Sequence, residues 1–215
     1  MDFFDAVTKR KEVVKFDDKK VDDKLIGVLL YTATFAYSAG DQQEWNFIVV
    51  RNEKRKKMLS EAALNHKLIK EAPVVIVVCG DVKKMGLRFG TRGQLLYTVQ
   101  DVAAACMLIL AAANALGLGA VWVGSFDEER VRDILALPDH IRPLAIIGVG
   151  YVKEGRKLRE RIPFDNLTWV ERYGEKYDIS YIFQPGGRGK KEVEIKPIGN
   201  LLEDFIKKLA KKWKK

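Results

Sequence analysis

The sequence predicts one mixed domain in which helices pack on a small sheet, α+β or α/β in class. Three observations predict it. The run VVIVV at residues 74–78 is β-branched throughout and bounded by Pro73 and Gly80, as a strand buried on both faces reads. LAIIGVGY, residues 144–151, follows Pro143 and reads as a second central strand. Between them VAAACMLILAAANAL, residues 102–116, is apolar on nearly every face, with Gly117 as a C-terminal stop. A helix apolar all round must be buried all round, here in the centre of the molecule and in part under a second subunit.

The remaining elements follow in order. Residues 3–8 can form a short helix that leads into a basic stretch, Lys9 to Lys15. Asp22 or Asp23 can cap a helix whose apolar positions Ile26, Leu29, Leu30 and Ala33 recur at helical spacing. The stretch AYSAGDQQEW (residues 36–45) then connects this helix to the strand at 47–50. It is richer in hydrogen-bonding groups than a turn requires. A charged surface helix is expected over 53–63 and a shorter one over 65–71. MGLRFGTRG, residues 85–93, has three glycines, two arginines and no period, and reads as a mobile segment or lid. Thr98 and Asp101 have capping-box spacing. GLGAVWVGSF is strand-like, and Asp127 can cap the helix at 128–135. After residue 175 the texture changes to a glycine-rich turn, an alternating EVEIKPI, and a basic helix with Leu202, Phe205, Ile206, Leu209 and Trp213 on its inner face.

With 38 Lys and Arg against 29 Asp and Glu, the chain carries a net charge of +9, concentrated near residues 10–15, 154–161 and the C-terminus. Nucleic acid or an anionic membrane surface could explain that balance, and so could a phosphate-bearing cofactor. The basic terminal helix is read as a solvated face. Cys79 and Cys106 fall in apolar segments and read as small buried residues, while His66 and His140 stand alone without metal-ligand spacing. The N-terminus has no apolar signal core, and the longest apolar run, residues 102–113, is too short to cross a bilayer. The expectation is a cytoplasmic, soluble chain.

No G-x-S-x-G elbow, P-loop or H-E-x-x-H is present, and GLGAVWVG follows a helix, the wrong context for a dinucleotide fingerprint. An enzyme so poor in placed acids and bases has to take its reactivity from a cofactor.

Five motifs, in order, carry a resemblance over residues 4–173. They are the basic start Arg10-Lys11-Glu12-Val13-Val14-Lys15-Phe16, the stretch AYSAGDQQEW followed by Phe47-Ile48-Val49-Val50, and Asn65 ahead of Ala72-Pro73. The long apolar helix running into Trp122-Val123-Gly124-Ser125 and the segment Arg159-Glu160-Arg161-Ile162-Pro163 complete the set. On these the chain resembles the nitroreductase family of FMN-dependent oxidoreductases. The resemblance implies an α+β fold, a three-layer α-β-α sandwich with a mixed, mostly antiparallel central sheet and the long helix at a dimer interface. Residues 1–175 would be the FMN-binding domain and 176–215 a C-terminal extension packing on the same domain or on the partner.

The resemblance also assigns roles. Arg10, Lys11, Arg159 and Arg161 would hold the FMN phosphate, for which separate clusters of cations suit charge-assisted hydrogen bonding. The alternative for each is a solvated side chain. Asn65 would offer its amide to the flavin's polar edge or, equally, cap a helix. Backbone N–H groups at Trp122, Val123, Gly124 and Ser125 would approach the flavin, as would Ser38, Ala39, Gly40 and Gln43 of the opening stretch, with Trp45 anchoring it. Arg88, Phe89 and Arg92 would face substrate. Glu12 and Val14 stand where the family has a serine and a basic residue, Asp41 where it has asparagine, and Glu44 where it has proline. The implied activity is hydride transfer from NAD(P)H through FMN to a nitroaromatic or quinone in ping-pong order, in a homodimer with shared sites. The alternatives are a fold that has lost flavin chemistry and binds a ligand or nucleic acid, and a flavin-dependent dehalogenase or dehydrogenase.

Overall fold

The computed structural model describes residues 3–176, so the extension predicted beyond residue 175 lies almost wholly outside the described residues. The chain divides into two compact units, Met1–Leu158 and Arg159–Lys215.

The first unit is built on a four-stranded antiparallel sheet in the order β2-β3-β5-β4, with β2 at Trp45–Val50, β3 at Val74–Asp81, β5 at Ile141–Gly150 and β4 at Gly119–Val123. β3 and β5 are the two runs read as central strands, and they hold the middle of the sheet. Residues 74–79 of β3 are wholly buried, because alternate side chains feed two separate cores. Val74, Ile76 and Val78 pack with Ile26 and Leu29 of α2 (Asp23–Ala33) and with Val102, Cys106 and Ile109 of α6 (Thr98–Ala115). Val75, Val77 and Cys79 pack on the other face with Leu59 of α3 (Glu53–Ala62), Ile69 of α4 (Lys67–Glu71) and Val131 of α7 (Glu128–Leu135). The result is the three-layer arrangement expected. Each fully buried Ile, Leu or Val in these cores contributes roughly 1.5–3 kcal/mol.

The caps follow the sequence closely. Asp22 accepts from the Lys24 N–H at 2.8 Å to start α2, and Asp127 accepts from the Arg130 N–H at 3.0 Å to start α7. The basic stretch after α1 (Phe3–Thr8) is instead a strand, β1 (Glu12–Phe16), paired antiparallel with β6 (Val152–Arg156). Val13 and Phe16 point into the core and the basic side chains point out, so the strand is amphipathic beneath its charge.

Two expectations are corrected between residues 81 and 101. Residues 85–93 are not a periodless lid: α5 spans Val82–Arg92, is broken at Gly90, and runs through a π-helical turn, Gly93–Tyr97, into α6. Gly90 takes φ 59° and ψ −151°, a conformation that only glycine adopts readily. Residues eight apart lie about 12 Å apart on a straight α-helix. Here a Cβ on Gly93 would come within 2.5 Å of the Met85 carbonyl oxygen, and the Phe89 and Tyr97 rings meet at 5.4 Å. The chain therefore turns back on itself as a helical hairpin. Thr98 and Asp101 form no capping box, because helix already precedes them. The Thr98 hydroxyl donates to the Gly93 carbonyl at 2.9 Å, and Asp101 bonds elsewhere.

Taken together, Val82–Ala115 is long and apolar enough for a membrane span, with mean hydropathy 1.8 over its best stretch. The break at Gly90 and the packing of Val102, Cys106 and Ile109 on the sheet are those of a core helix. Its burial is one-sided in a single chain: Val99, Met107 and Leu116 remain exposed, as do Val28, Tyr31 and Phe35 on and just after the neighbouring α2.

In the second unit, the described residues form a 3-10 turn at Phe164–Leu167 and a bridge between Trp169 and Lys176, with Trp169 stacked on Tyr173 at 4.5 Å.

Candidate functional site

The predicted site residues of the first unit fall into two groups on opposite faces of the sheet. The first group gathers around β1, on the face of α3, α4 and α7. Arg10 and Lys11 precede the strand; both are exposed and neither has an ion-pair partner among the described residues. Glu12 is held by Arg156 in a two-pronged pair, 2.8 Å at each oxygen, across the β1–β6 ladder. The carboxylate that would repel a phosphate is thus neutralised by Arg156 rather than by Lys11, the neighbour its sequence position suggests.

β1 packs against both α4 and β4. Asn65 lies just ahead of α4, exposed, at φ 58°. It is not the helix cap, a position taken by His66; it sits in the left-handed region that asparagine tolerates better than most residues. The turn after β4 is tied to the same place, because the Asp127 N–H donates to the Ala62 carbonyl at 3.0 Å. That bond sets Gly124 and Ser125, both exposed, beside the Leu64–Asn65 turn. Trp122 is 37 % exposed on an edge strand and is not a core side chain, while Val123 is buried. Backbone donors, an uncommitted amide and two unpaired cations therefore share one face.

The second group belongs to the stretch 36–45, on the face of α2 and α6. Trp45 anchors it in the core as predicted. The turn Ala39–Asp41 carries Gly40 at φ 55°, Asp41 at φ 56° and, just beyond, Gln43 at φ 50°. Three left-handed residues in four need outside support. The Ser38 Oγ accepts from the Gln43 N–H at 3.0 Å, the Gln43 amide donates to Asp41 Oδ1 at 2.8 Å, and the Ala39 N–H donates to Asp101 Oδ2 at 2.8 Å. Asp41 thus occupies the Gln43 amide.

Over this loop comes the helical hairpin. A Cβ on Gly40 would lie 2.9 Å from the tip of Phe89 and 3.1 Å from the Arg88 guanidinium, so the two side chains pack directly over the glycine. Arg92 donates to the Tyr97 hydroxyl at 3.0 Å, and its guanidinium sits 5.5 Å from that ring. Of the predicted substrate residues, Arg88 and Phe89 are therefore brought to the predicted loop, while Arg92 is held on Tyr97, whose ring meets Phe89. Arg159 and Arg161, in the second unit, are exposed.

Sequence reasoning missed what lies beneath the loop. Glu44 is 2 % exposed, and burial first, then the neighbouring Asp101, push its carboxyl up to about 7. Asp101 is also raised, by burial, against the pull of the Ala39 N–H. The available signal was an acid directly before a buried tryptophan and another at the head of an apolar helix.

A cofactor with a phosphate and a flat ring with a polar edge meets compatible donors here. The free cations and exposed backbone of the first group suit the phosphate and the polar edge, and the Phe89 and Tyr97 rings of the second, 5.4 Å apart, offer an aromatic surface beside the loop. Among the described residues no cluster of three or more His, Cys, Asp or Glu could hold a metal ion.

Comparison with known proteins agrees with this architecture. A model of the Nitroreductase family matches residues 7–71 and 58–151. A candidate NADH dehydrogenase/NAD(P)H nitroreductase of Methanothermobacter thermautotrophicus is 34% identical over 171 residues, 78% of this chain and 86% of that protein. The Bacillus subtilis FMN reductase [NAD(P)H] is 25% identical over 182 residues, 78% of this chain and 73% of its own. Among solved structures, a candidate NADH dehydrogenase/NAD(P)H nitroreductase of Parabacteroides distasonis superposes with a TM-score of 0.69 at 31% identity, over 80% of this chain and 98% of that one.

Proposed function

This chain belongs to the nitroreductase family, and on that footing we propose that it is an oxidoreductase with FMN as its cofactor and NAD(P)H as its electron donor. When bound, FMN supplies the hydride chemistry, carrying electrons at N5 from NAD(P)H to an organic acceptor of nitroaromatic or quinone type in ping-pong order. Everything asked of the protein is binding and orientation. Arg10 and Lys11 hold the phosphate, Asn65 and the backbone of Gly124 and Ser125 meet the polar edge, and Arg88 and Phe89 border the substrate side.

The observation that carries this reading is the gathering of unpaired Arg10 and Lys11, the Asn65 amide and the exposed Gly124–Ser125 backbone on one face. The loop 38–43 lies on the other face, which supports a homodimer in which each site takes one group from each chain. The apolar side chains left exposed on and beside α2 and α6 support the same arrangement. Residues 1–175 would then act as the FMN-binding domain and 176–215 as an extension of it. The alternative of lost flavin chemistry drew on Glu12 and Val14, and the pairing of Glu12 with Arg156 weakens the part that rested on Glu12.

The test is the visible spectrum of the purified protein. Flavin bands that NAD(P)H bleaches are expected, and Arg10→Ala should weaken FMN binding. Loss of a charge-assisted hydrogen bond costs about 1.5–3 kcal/mol, so the Kd should rise roughly 10- to 150-fold in a fluorescence titration. A colourless protein that takes up no added FMN overturns the proposal.

A further inference from the structure

We propose that Glu44 and Asp101 share a single proton beneath the loop 36–45, and that this acid pair is the positioning device that holds the loop backbone at Ala39. The two carboxyl groups are near enough for each to act on the other's charge. No N–H or O–H donor reaches either Glu44 oxygen, although the side chain is 98 % buried by its 2 % exposure. Two ionised carboxylates in that position would repel each other with nothing to offset the loss of water. One proton resolves it: Glu44 donates to Asp101, and Asp101 keeps its other capacity for the Ala39 N–H at 2.8 Å. That contact joins residues 62 apart in sequence and, among the described residues, is the side-chain bond that reaches the left-handed turn from outside the loop.

The surroundings supply no other counter-charge of comparable proximity. From α5, Lys84 is the charged group that faces Glu44, and its exposed ammonium acts weakly against the effect of burial. From β3, Asp81 contributes its N–H to the Glu44 carbonyl at 3.0 Å, while its carboxylate caps α5 through the Lys84 N–H. From α6 comes Asp101 itself, with Thr98 turned to Gly93. The pair is therefore closed in on itself.

The sign follows from the direction of the shift. Burial raises the Glu44 carboxyl from 4.5 to about 7, so the closed loop is favoured below 4.5 and loses that advantage as pH rises towards 7. The loop should be held more tightly at pH 5 than at pH 8. The consequence for cofactor affinity rests on the flavin reading above; the effect on the loop does not.

The experiment is amide hydrogen exchange at Ala39 in the full-length protein without added flavin, corrected for intrinsic rates, at several pH values between 5 and 8, alongside FMN titrations. In the wild type, Ala39 protection should fall more than tenfold over that range, since each pH unit between the two pKa values is about a factor of ten. Glu44→Gln, which keeps a neutral donor against Asp101, should retain protection and flatten the profile, and Asp101→Asn should flatten it as a second route should Glu44→Gln not fold. A pH profile unchanged in both variants overturns the proposal. A profile that flattens in the variants while no form of the protein binds FMN supports the acid pair and overturns the flavin reading instead.

Discussion

Gly90 and Gly27 both have open space around the position a Cβ would take, with no atom within 4 Å, yet replacing them with alanine should move stability in opposite directions. Gly90 sits at φ 59° and ψ −151° where α5 turns back. With no clash to relieve, the whole cost of Gly90→Ala is backbone strain, about 1–3 kcal/mol. Gly27 lies inside α2 at an ordinary helical φ, so Gly27→Ala should stabilise by roughly 0.5–1 kcal/mol through the entropy of the unfolded chain. In a domain of this size 1 kcal/mol moves Tm by about 2–4 °C. Gly90→Ala should therefore lower Tm by roughly 2–12 °C and Gly27→Ala raise it by roughly 1–4 °C. Calorimetry on the two variants under identical cofactor conditions is the assay. If Gly90→Ala leaves Tm within 1 °C of the wild type, the hairpin is not pinned at Gly90, and the placement of Arg88 and Phe89 over Gly40 loses its cause.

Glu12→Ser removes an exposed ion pair with Arg156, so chemical denaturation should show a change below about 1 kcal/mol. The same variant takes a carboxylate away from Arg10 and Lys11, and FMN affinity in a fluorescence titration should rise; weaker binding would mean that the Glu12–Arg156 pair is itself part of the phosphate site. Cys79 and Cys106 are buried with thiols pushed up to about 12 by desolvation. Labelling by a thiol reagent at pH 8 should accordingly proceed only through unfolding, accelerating with denaturant, and fast labelling of the native protein would refute that burial.

Where the sequence was legible, one physical signal dominated. VVIVV and LAIIGVG announce strands buried on both sides, and Asp22 and Asp127 announce helix starts because no neighbouring element competes for their carboxylates. Trp45 was placed in the core correctly, while the side chains that close on Gly40 are Phe89 and Arg88 of the hairpin. The failures share a different cause: the deciding partner lay far away in sequence. EVVKF reads as a charged run until Arg156 and Val152 are opposite it. MGLRFGTRG has no helical period because Gly90 breaks the helix within it. Asp101 has capping-box spacing from Thr98, but helix already precedes it and its actual acceptor role is for Ala39. Glu44 and Asp41 looked like charges out of place in the loop; one is buried against another acid and the other holds Gln43. Acids in a loop give no indication from sequence of whether water or another acid is next to them.

The support given to residues 38–45 bears on how a ligand would be received there. Hydrogen bonds from Gln43 to Ser38 and Asp41, the grip of Asp101 on Ala39, and the buried Trp45 set the loop's shape through the protein's own contacts. Ordering a flexible segment at the moment of binding sacrifices conformational entropy, roughly 0.5–1.5 kcal/mol for each side chain immobilised. A loop whose left-handed turns are already paid for at folding spends little of that. Slow dissociation of a ring seated on it, rather than adjustment of the loop around it, is the behaviour such a surface favours.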